Sequence, residues 1–259
     1  MGKDLIKLLT VYGVGGKPNM IINERDGSPI VLVPGGEFEM GDGESSNCSK
    51  HYVYIDAYYI GIYCVTNRQY KMFVDATGHR SPDRSDAIQV TSVWKGKMYP
   101  EKYADHPVVC VSWEDVQAYA SWAGCRLPSE AEWEKAARGP EGYRYPWGDE
   151  WDESKCRNNK NRGEETTCAV WGYPEEVSGY GTSNQSGNVW EWCSDWYDKN
   201  YYTNSSRGHP EGPEAGSFRV LRGGCWRYAF PSFFRCAHRT RIFPGLRFVS
   251  RGFRLVRAV

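Results

Sequence analysis

The stretch from Arg219 to Val259 decides how this sequence is interpreted. It reads Arg-Gly-Gly-Cys-Trp at residues 222–226 and Gly-Phe-Arg-Leu-Val at residues 252–256. Between these ends, aromatic, arginine and aliphatic residues alternate with a period of neither 2 nor 3.6, which predicts neither a regular strand nor a helix. No acidic residue interrupts the stretch. Aromatic rings and arginines dominate recognition surfaces, so the pattern predicts a binding surface carried by the rest of the chain.

The composition predicts one large folded domain with an aromatic core. The chain has 259 residues, 40% of them hydrophobic and 15% aromatic, with 28 glycines and a formal net charge of zero. This hydrophobic content excludes disorder, and the frequent glycines favour many turns. Zero net charge argues against nucleic acid as a partner. No apolar run is long enough for a membrane span.

Residues 1–22 are expected to form a leader or a short N-terminal element, and residues 23–259 a single domain. The first 22 residues contain no convincing secretion signal, so the sequence leaves the localisation unknown. Nine cysteines occur without C-x-x-C or zinc-type spacing. We expect reduced, buried thiols, with one or two disulfide bridges as the open alternative.

Local signals predict three helices and several strands. Thr66, Ser112 and Ser129 are expected N-caps, and the latter two are followed three residues later by an acid that completes a capping box. Residues 30–33 are expected to form a hairpin with residues 38–41, and residues 53–62 a single strand. Residues 140–187 are expected to form mostly loop. In the tail, residues 218–222 and 252–257 are expected to be the two edges of a sheet.

Several ordered segments together resemble the formylglycine-generating enzyme domain, the sulfatase-modifying-factor type of C-type lectin fold. They span about residues 28 to 257 and lie at residues 36–41, 65–67, 106–113, 124–134, 145–148, 187–192, 222–224 and 252–254. The resemblance implies an α+β protein with few short helices, twisted antiparallel sheets and much irregular loop.

The same resemblance implies a structural calcium ion. The family's pattern Asn-x-x-Gly-x-Ala-x-Glu corresponds here to Asn184, Gly187, Val189 and Glu191. Calcium prefers oxygen ligands, and Gly187 and Val189 would supply only their carbonyls, so valine in place of alanine changes little. The alternative is that Asn184 and Glu191 brace a loop.

One departure from the family argues against an enzyme. The enzymes that oxidise a sulfatase cysteine carry two nearby cysteines after Gly-Gly-Ser-Trp or Gly-Gly-Ser-Tyr, and this thiolate pair binds copper(I), a soft ion. The corresponding residues 227–234 contain no cysteine, and Cys225 and Cys236 flank them. We therefore expect no copper. A formylglycine-generating-type oxidase with shifted ligands, or an inactive relative, stays as the alternative.

The tail is most similar to variable proteins of diversity-generating retroelements, which use this fold. In them, an adenine-directed copying error replaces Asn codons in the tail. Here the surrounding frame is kept at residues 235–239, 244–245 and 252–256, and no Asn occurs in the tail. The resemblance implies a variable region at about 220–256. Its candidate ligand-binding residues are Arg227, Tyr228, Phe230, Ser232, Phe233, His238, Thr240, Ile242, Phe243, Leu246, Phe248 and Ser250.

The function expected from this resemblance is ligand binding through a hypervariable surface on a lectin-type scaffold. The expected partner is a protein or a cell-surface ligand. The competing interpretation of the apolar tail residues is ordinary core. A reverse transcriptase gene beside this gene, with an Asn-rich near-copy of the tail, would favour the first reading.

Overall fold

The computed structural model describes residues 16–86 and 91–259, and a four-stranded antiparallel sheet joins the two ends of this range. Its strands are β1 (Met20–Ile22), β2 (Pro29–Val33), β5 (Tyr58–Gly61) and β10 (Val256–Ala258), in the order β1-β2-β5-β10. The expected N-terminal element at residues 1–22 therefore ends in a strand of the domain itself. The rest of that prediction, up to residue 15, lies outside the described residues.

A separate hairpin follows, formed by β3 (Gly36–Met40) and β4 (His51–Ile55). The predicted hairpin between residues 30–33 and 38–41 is wrong, because β2 already has β1 and β5 on its two sides and offers no free edge. The predicted single strand 53–62 is also wrong. Val53 pairs with Phe38 and Tyr58 pairs with Val33, so the two halves belong to different sheets.

Three α-helices occur in the described residues: α1 (Asn67–Thr77), α2 (Trp113–Trp122) and α3 (Glu130–Arg138). Each begins at the predicted N-cap with a complete capping box. Each helix buries one face, on which lie Phe73, Tyr119 and Trp133, respectively. Helices α1 and α2 meet through Tyr70 and Tyr119, whose rings stack with centroids 5.5 Å apart. The aromatic core expected from composition is therefore confirmed.

The second four-stranded sheet carries the tail. Its order is β8 (Arg239–Ile242), β7 (Arg219–Arg222), β6 (Trp190–Trp196) and β9 (Arg251–Gly252), with β6 and β9 parallel. The predicted edges are only partly right, because Gly252 lies on the edge strand β9, whereas β7 lies inside the sheet and Val256–Ala258 belongs to the first sheet. The tail also contains a strand that its sequence hides, because the buried residue of β8 is an arginine rather than an aliphatic residue.

The architecture is α+β with short helices, antiparallel and curled sheets, and long loops, as expected. Residues 140–187 contain only one helical turn, the 3₁₀ helix Glu153–Lys155. Within residues 16–86 and 91–259, no helix has the length and apolar character needed to cross a membrane.

Candidate ligand-binding surface

Four arginines of the tail are buried and paired with acids from distant segments. We call them the paired arginines: Arg222 with Glu134, Arg235 with Asp42, Arg239 with Glu130, and Arg254 with Glu191. Two of the four acids lie on α3, whose capped first turn begins at Glu130. Leaving a buried charge without its partner costs about 3–5 kcal/mol, so these pairs fix the path of the tail.

Arg239 shows how tightly one such pair is held. Its Nε lies 2.8 Å from Oε1 of Glu130, and its Nη2 lies 2.5 Å from Oε2. Its Nη1 donates to the carbonyl oxygens of Asn47 and Asp198. This bidentate arrangement joins β8 to α3.

Candidate binding residues alternate with Arg239 along the chain. His238, Thr240 and Ile242 are half-buried, whereas Arg239 between them is buried. Successive residues of a strand point to opposite sides of its sheet, so one side of β8 meets α3 and the other can face a ligand. Arg241 is exposed and its guanidinium lies 4.7 Å from the ring centre of Tyr197.

The structure brings three candidate residues into one aromatic cluster. Tyr228 and Phe233 stack with ring centres 4.2 Å apart, and Phe233 meets His238 edge-on at 5.2 Å. Beneath them lies the buried ring of Trp190, 5.8 Å from both Tyr228 and His238. Burial lowers the pKa of His238 to about 4, and the positive charges of Arg235 and Arg222 act in the same direction. The imidazole is therefore neutral at physiological pH.

The other candidates differ in exposure. Phe230 is 71% exposed and Phe243 is 53% exposed, the latter contacting Phe218 at a ring distance of 4.4 Å. Arg227 and Ser232 are exposed, and Leu246 and Phe248 are half-buried. Ser250 is the exception. It is only 4% exposed, so its side chain does not belong to the surface. The eleven remaining candidates form what we call the tail surface.

The tail surface is held by its backbone rather than by its polar side chains. Asn159 donates from its backbone N–H to the carbonyl of Tyr228 and from Nδ2 to that of Arg227, both at 2.9 Å. The carbonyl of Phe248 accepts from the backbone N–H of Cys110 at 3.0 Å. Among the described residues, the side chains of Arg227, Tyr228, Ser232, His238 and Thr240 make no hydrogen bond to another residue. Changing these side chains would therefore leave the hydrogen bonds of the backbone in place.

Three cavities lie beside the tail surface or away from it. Those of about 540 Å³ and 570 Å³ are lined by residues such as Trp196 and Tyr63, respectively. The third, of about 740 Å³, is lined by residues such as Trp151 and Pro231, and Pro231 lies between two residues of the tail surface in sequence. None of the three is lined by one of the eleven residues of the tail surface. Large rings that are exposed outside a cavity suit a macromolecular partner better than a small molecule.

The two cysteines that flank residues 227–234 do not form a thiolate pair. Cys225 and Cys236 are both buried and belong to different hydrophobic clusters. Burial raises the pKa of Cys225 to about 11 and that of Cys236 well above its usual value. Both thiols are therefore protonated in the metal-free protein at neutral pH, and copper(I), which binds thiolates, would have to displace both protons. All nine cysteines are free thiols.

The residues expected to hold calcium do not fit that ion. The Glu191 carboxylate accepts from Arg254 on both oxygens, from Trp133 Nε1 at 2.8 Å and from Cys64 Sγ at 3.2 Å. A carboxylate has about four acceptor positions, so none remains for a metal. Asn184 Oδ1 is buried and has no hydrogen-bond partner among the described residues. The residues of the family's calcium pattern are present, but the carboxylate of Glu191 is already bound by Arg254.

Sequence reasoning missed three residues at this site. Trp190 lies under the aromatic cluster, and the side chains of Arg162 and Arg251 lie at its border, against Trp226 and Phe248. Trp190 lies in the family-like segment 187–192, so the sequence could have indicated its position. Arg162 lies in the long loop, and no local pattern marks it.

The fold and this surface define a lectin-type α+β domain with a solvent-facing C-terminal tail on a frame of buried ion pairs. The model of the sulfatase-modifying factor enzyme 1-like domain matches residues 19–259. The chain therefore belongs to this family.

Individual relatives of this chain carry different functional names. The chain is 37% identical to the formylglycine-generating enzyme of Streptomyces coelicolor, covering 92% of each chain. It is 38% identical to the serine/threonine-protein kinase Pkn1 of Chlamydia trachomatis over 94% of this chain, but it spans only 39% of that relative.

Two solved structures share the fold. PvdO from Pseudomonas aeruginosa superposes with a TM-score of 0.79 at 26% identity, covering 93% of this chain and 98% of the other. Treponema denticola variable protein 1 superposes with a TM-score of 0.75 at 23% identity and the same coverages. At 23% identity the second similarity establishes the common fold alone.

Proposed function

We propose that this protein binds a macromolecular ligand, a protein or a cell-surface molecule, through the tail surface, and that it is a variable protein of a diversity-generating retroelement. The observation that carries the proposal is the division of labour within the tail. Buried, paired arginines and backbone hydrogen bonds hold the chain, while the eleven side chains of the tail surface are exposed, as at Phe230 and Phe243, or half-buried.

A fixed backbone suits a surface whose side chains change. A preorganised backbone lowers the entropy lost on binding, so affinity can come from rings such as Phe230 and Phe243 that are already exposed. Sequence variation at these positions would alter specificity without changing the path of the chain. The fold shared with Treponema denticola variable protein 1 agrees with this proposal.

A library tests the proposal directly. The eleven codons of the tail surface are randomised, the proteins are displayed on yeast, and folding is scored by resistance to protease. We expect most members to stay folded and binders to an arbitrary protein, such as hen lysozyme, to be selected from them. A matched library at Arg222, Arg235, Arg239 and Arg254 should be almost entirely unfolded. Equal losses in both libraries would contradict the proposal.

The second candidate function is oxidation of a sulfatase cysteine, favoured by 37% identity to a formylglycine-generating enzyme over nearly the whole chain. It is tested by incubating the protein with copper(I), oxygen and a cysteine peptide of sulfatase type. We expect no formylglycine by mass spectrometry, because Cys225 and Cys236 are buried, protonated and in separate clusters. Product that disappears in Cys225→Ser or Cys236→Ser would establish the enzyme instead.

A further inference from the structure

Three arginines from separate segments surround Trp226 and Phe248 at the border of the tail surface. The guanidinium carbons of Arg162 and Arg227 lie 5.1 Å and 5.6 Å from the ring centre of Trp226. That of Arg251 lies 4.1 Å from the ring centre of Phe248. We call Arg162, Arg227 and Arg251 the arginine triad. Stacking on rings holds planar guanidiniums in place while leaving their edges free for hydrogen bonds.

The arginine triad has no anionic partner in the described part of the chain. None of its side chains makes an ion pair or a side-chain hydrogen bond with residues 16–86 or 91–259. The Nε atoms of Arg162 and Arg251 are moreover buried without an acceptor. Neither of these two arginines is therefore held by an acid or a carbonyl of the described chain through its Nε. The paired arginines of the same tail, by contrast, all meet an acid.

The local electrostatics also favour an anion. Burial lowers the pKa of Arg251 below its usual value, while Cys225 and Tyr228 act to raise it and the positive charge of Arg227 acts to lower it. Burial also raises the pKa of the Cys225 thiol to about 11, so this neighbour is uncharged at neutral pH. A carboxylate beside Arg227 and Arg251 would favour the charged form of both side chains.

We propose that the arginine triad binds a carboxylate of the ligand, so that the partner is a protein with an acidic residue beside the patch that covers Tyr228 and Phe248. The identity of the partner as a protein rests on the function proposed above, whereas the anion site itself does not. The planar guanidinium matches a carboxylate in two parallel hydrogen bonds. A nucleic acid would need a longer basic track than three arginines in a neutral chain.

The probe is a short acidic peptide. Acetyl-triaspartate amide is titrated into the protein at low salt by calorimetry, with acetyl-triasparagine amide as the uncharged control of the same shape. We expect saturable binding of the aspartate peptide alone, weakened at least tenfold in Arg251→Gln and in Arg162→Gln. Arg257→Gln is the matched control, because Arg257 is exposed and makes no ion pair with a described residue. It should bind like the unchanged protein.

Three results would overturn the inference. They are equal binding of both peptides, unchanged affinity in Arg162→Gln and Arg251→Gln, and tighter binding of a 20-nucleotide single-stranded DNA than of the aspartate peptide. Thermal melting verifies that each variant is folded. Should Arg251→Gln unfold, Arg251→Lys keeps the charge and loses the planar fork, and it should still bind more weakly. The peptide titration tests the arginine triad alone, whereas the randomised library tests the proposed function, so the two proposals can fail separately.

Discussion

Arg239 and Arg241 lie two residues apart on strand β8 but differ in burial and in the partners they contact. Arg239 is buried and held by both oxygens of Glu130, whereas Arg241 is exposed and rests on the ring of Tyr197. The difference shows that residue type alone does not separate frame from surface in this tail. The position of an acid on α3 decides which arginine becomes structural.

The same contrast extends over the whole tail. The acids that bind the paired arginines are Asp42, two residues of α3 and one residue of β6. The frame therefore depends on parts of the chain that are distant from the tail in sequence. The tail surface depends on backbone hydrogen bonds and ring contacts. We therefore expect substitutions to divide into two classes with very different effects on stability.

The largest effect is expected at Arg239. Arg239→Met removes the bidentate partner of the buried Glu130 carboxylate, which keeps only the longer contact of 3.7 Å with Arg222 Nε. It should lower the free energy of unfolding by about 3–5 kcal/mol. Arg241→Met on the same strand should change it by less than about 0.5 kcal/mol, as is usual for an exposed side chain. Urea denaturation of the two variants measures both. Similar losses would show that the contrast is false.

An intermediate effect is expected at Tyr228, which is half-buried and stacked on Phe233. Tyr228→Ala should lower the free energy of unfolding by about 1–2 kcal/mol, because it removes a ring pair worth about 0.5–1.5 kcal/mol together with part of the buried area. Tyr228→Phe is the control and should be nearly neutral, since no hydrogen bond of the hydroxyl to a described residue is lost. A loss above about 3 kcal/mol in Tyr228→Ala would place this ring in the core.

A smaller effect on stability is expected at Phe243, which is 53% exposed. Phe243→Ala should cost less than about 1 kcal/mol, since only part of the ring is removed from water. Binding to the natural ligand should nevertheless fall at least tenfold, because exposed aromatic side chains are frequent binding hot spots. Calorimetry and thermal melting of the same sample separate the two. Retained affinity would remove Phe243 from the binding surface.

No effect is expected from a chelator. Excess EDTA should leave the melting temperature unchanged, because the Glu191 carboxylate is already saturated by Arg254, Trp133 and Cys64. Adding calcium should not raise it either. A fall in the melting temperature with EDTA that calcium reverses would restore the ion expected from the sequence pattern at Asn184 and Glu191.

The features that were predicted correctly from the sequence depend on residues that are close together along the chain. The three helices begin at Thr66, Ser112 and Ser129 because each N-cap bonds to a backbone N–H three residues away. Strand pairing was predicted poorly because partners such as Val33 and Tyr58 are distant in sequence. Strand β8 was missed because its buried residue is charged, and only the fold places Glu130 beside it.

The candidate site was predicted in a similar way. The motifs at its two ends located the tail. Eleven of its twelve candidate residues are exposed or half-buried, whereas Ser250 is buried. The roles of Glu191 and Arg162 could not be read from spacing. The first is decided by contact with Arg254 and the second by a loop that approaches Trp226 from far away in sequence.

The most direct test of the account replaces five residues of the tail surface by asparagine at once. The variant carries Asn at Arg227, Phe230, Ser232, Thr240 and Phe243, and its free energy of unfolding is measured in urea. We predict a cooperative transition and a loss of no more than about 2 kcal/mol, since the changes break no ion pair and no side-chain hydrogen bond among the described residues. A non-cooperative transition, or a loss above about 4 kcal/mol, would contradict the claim that the frame stands without these side chains.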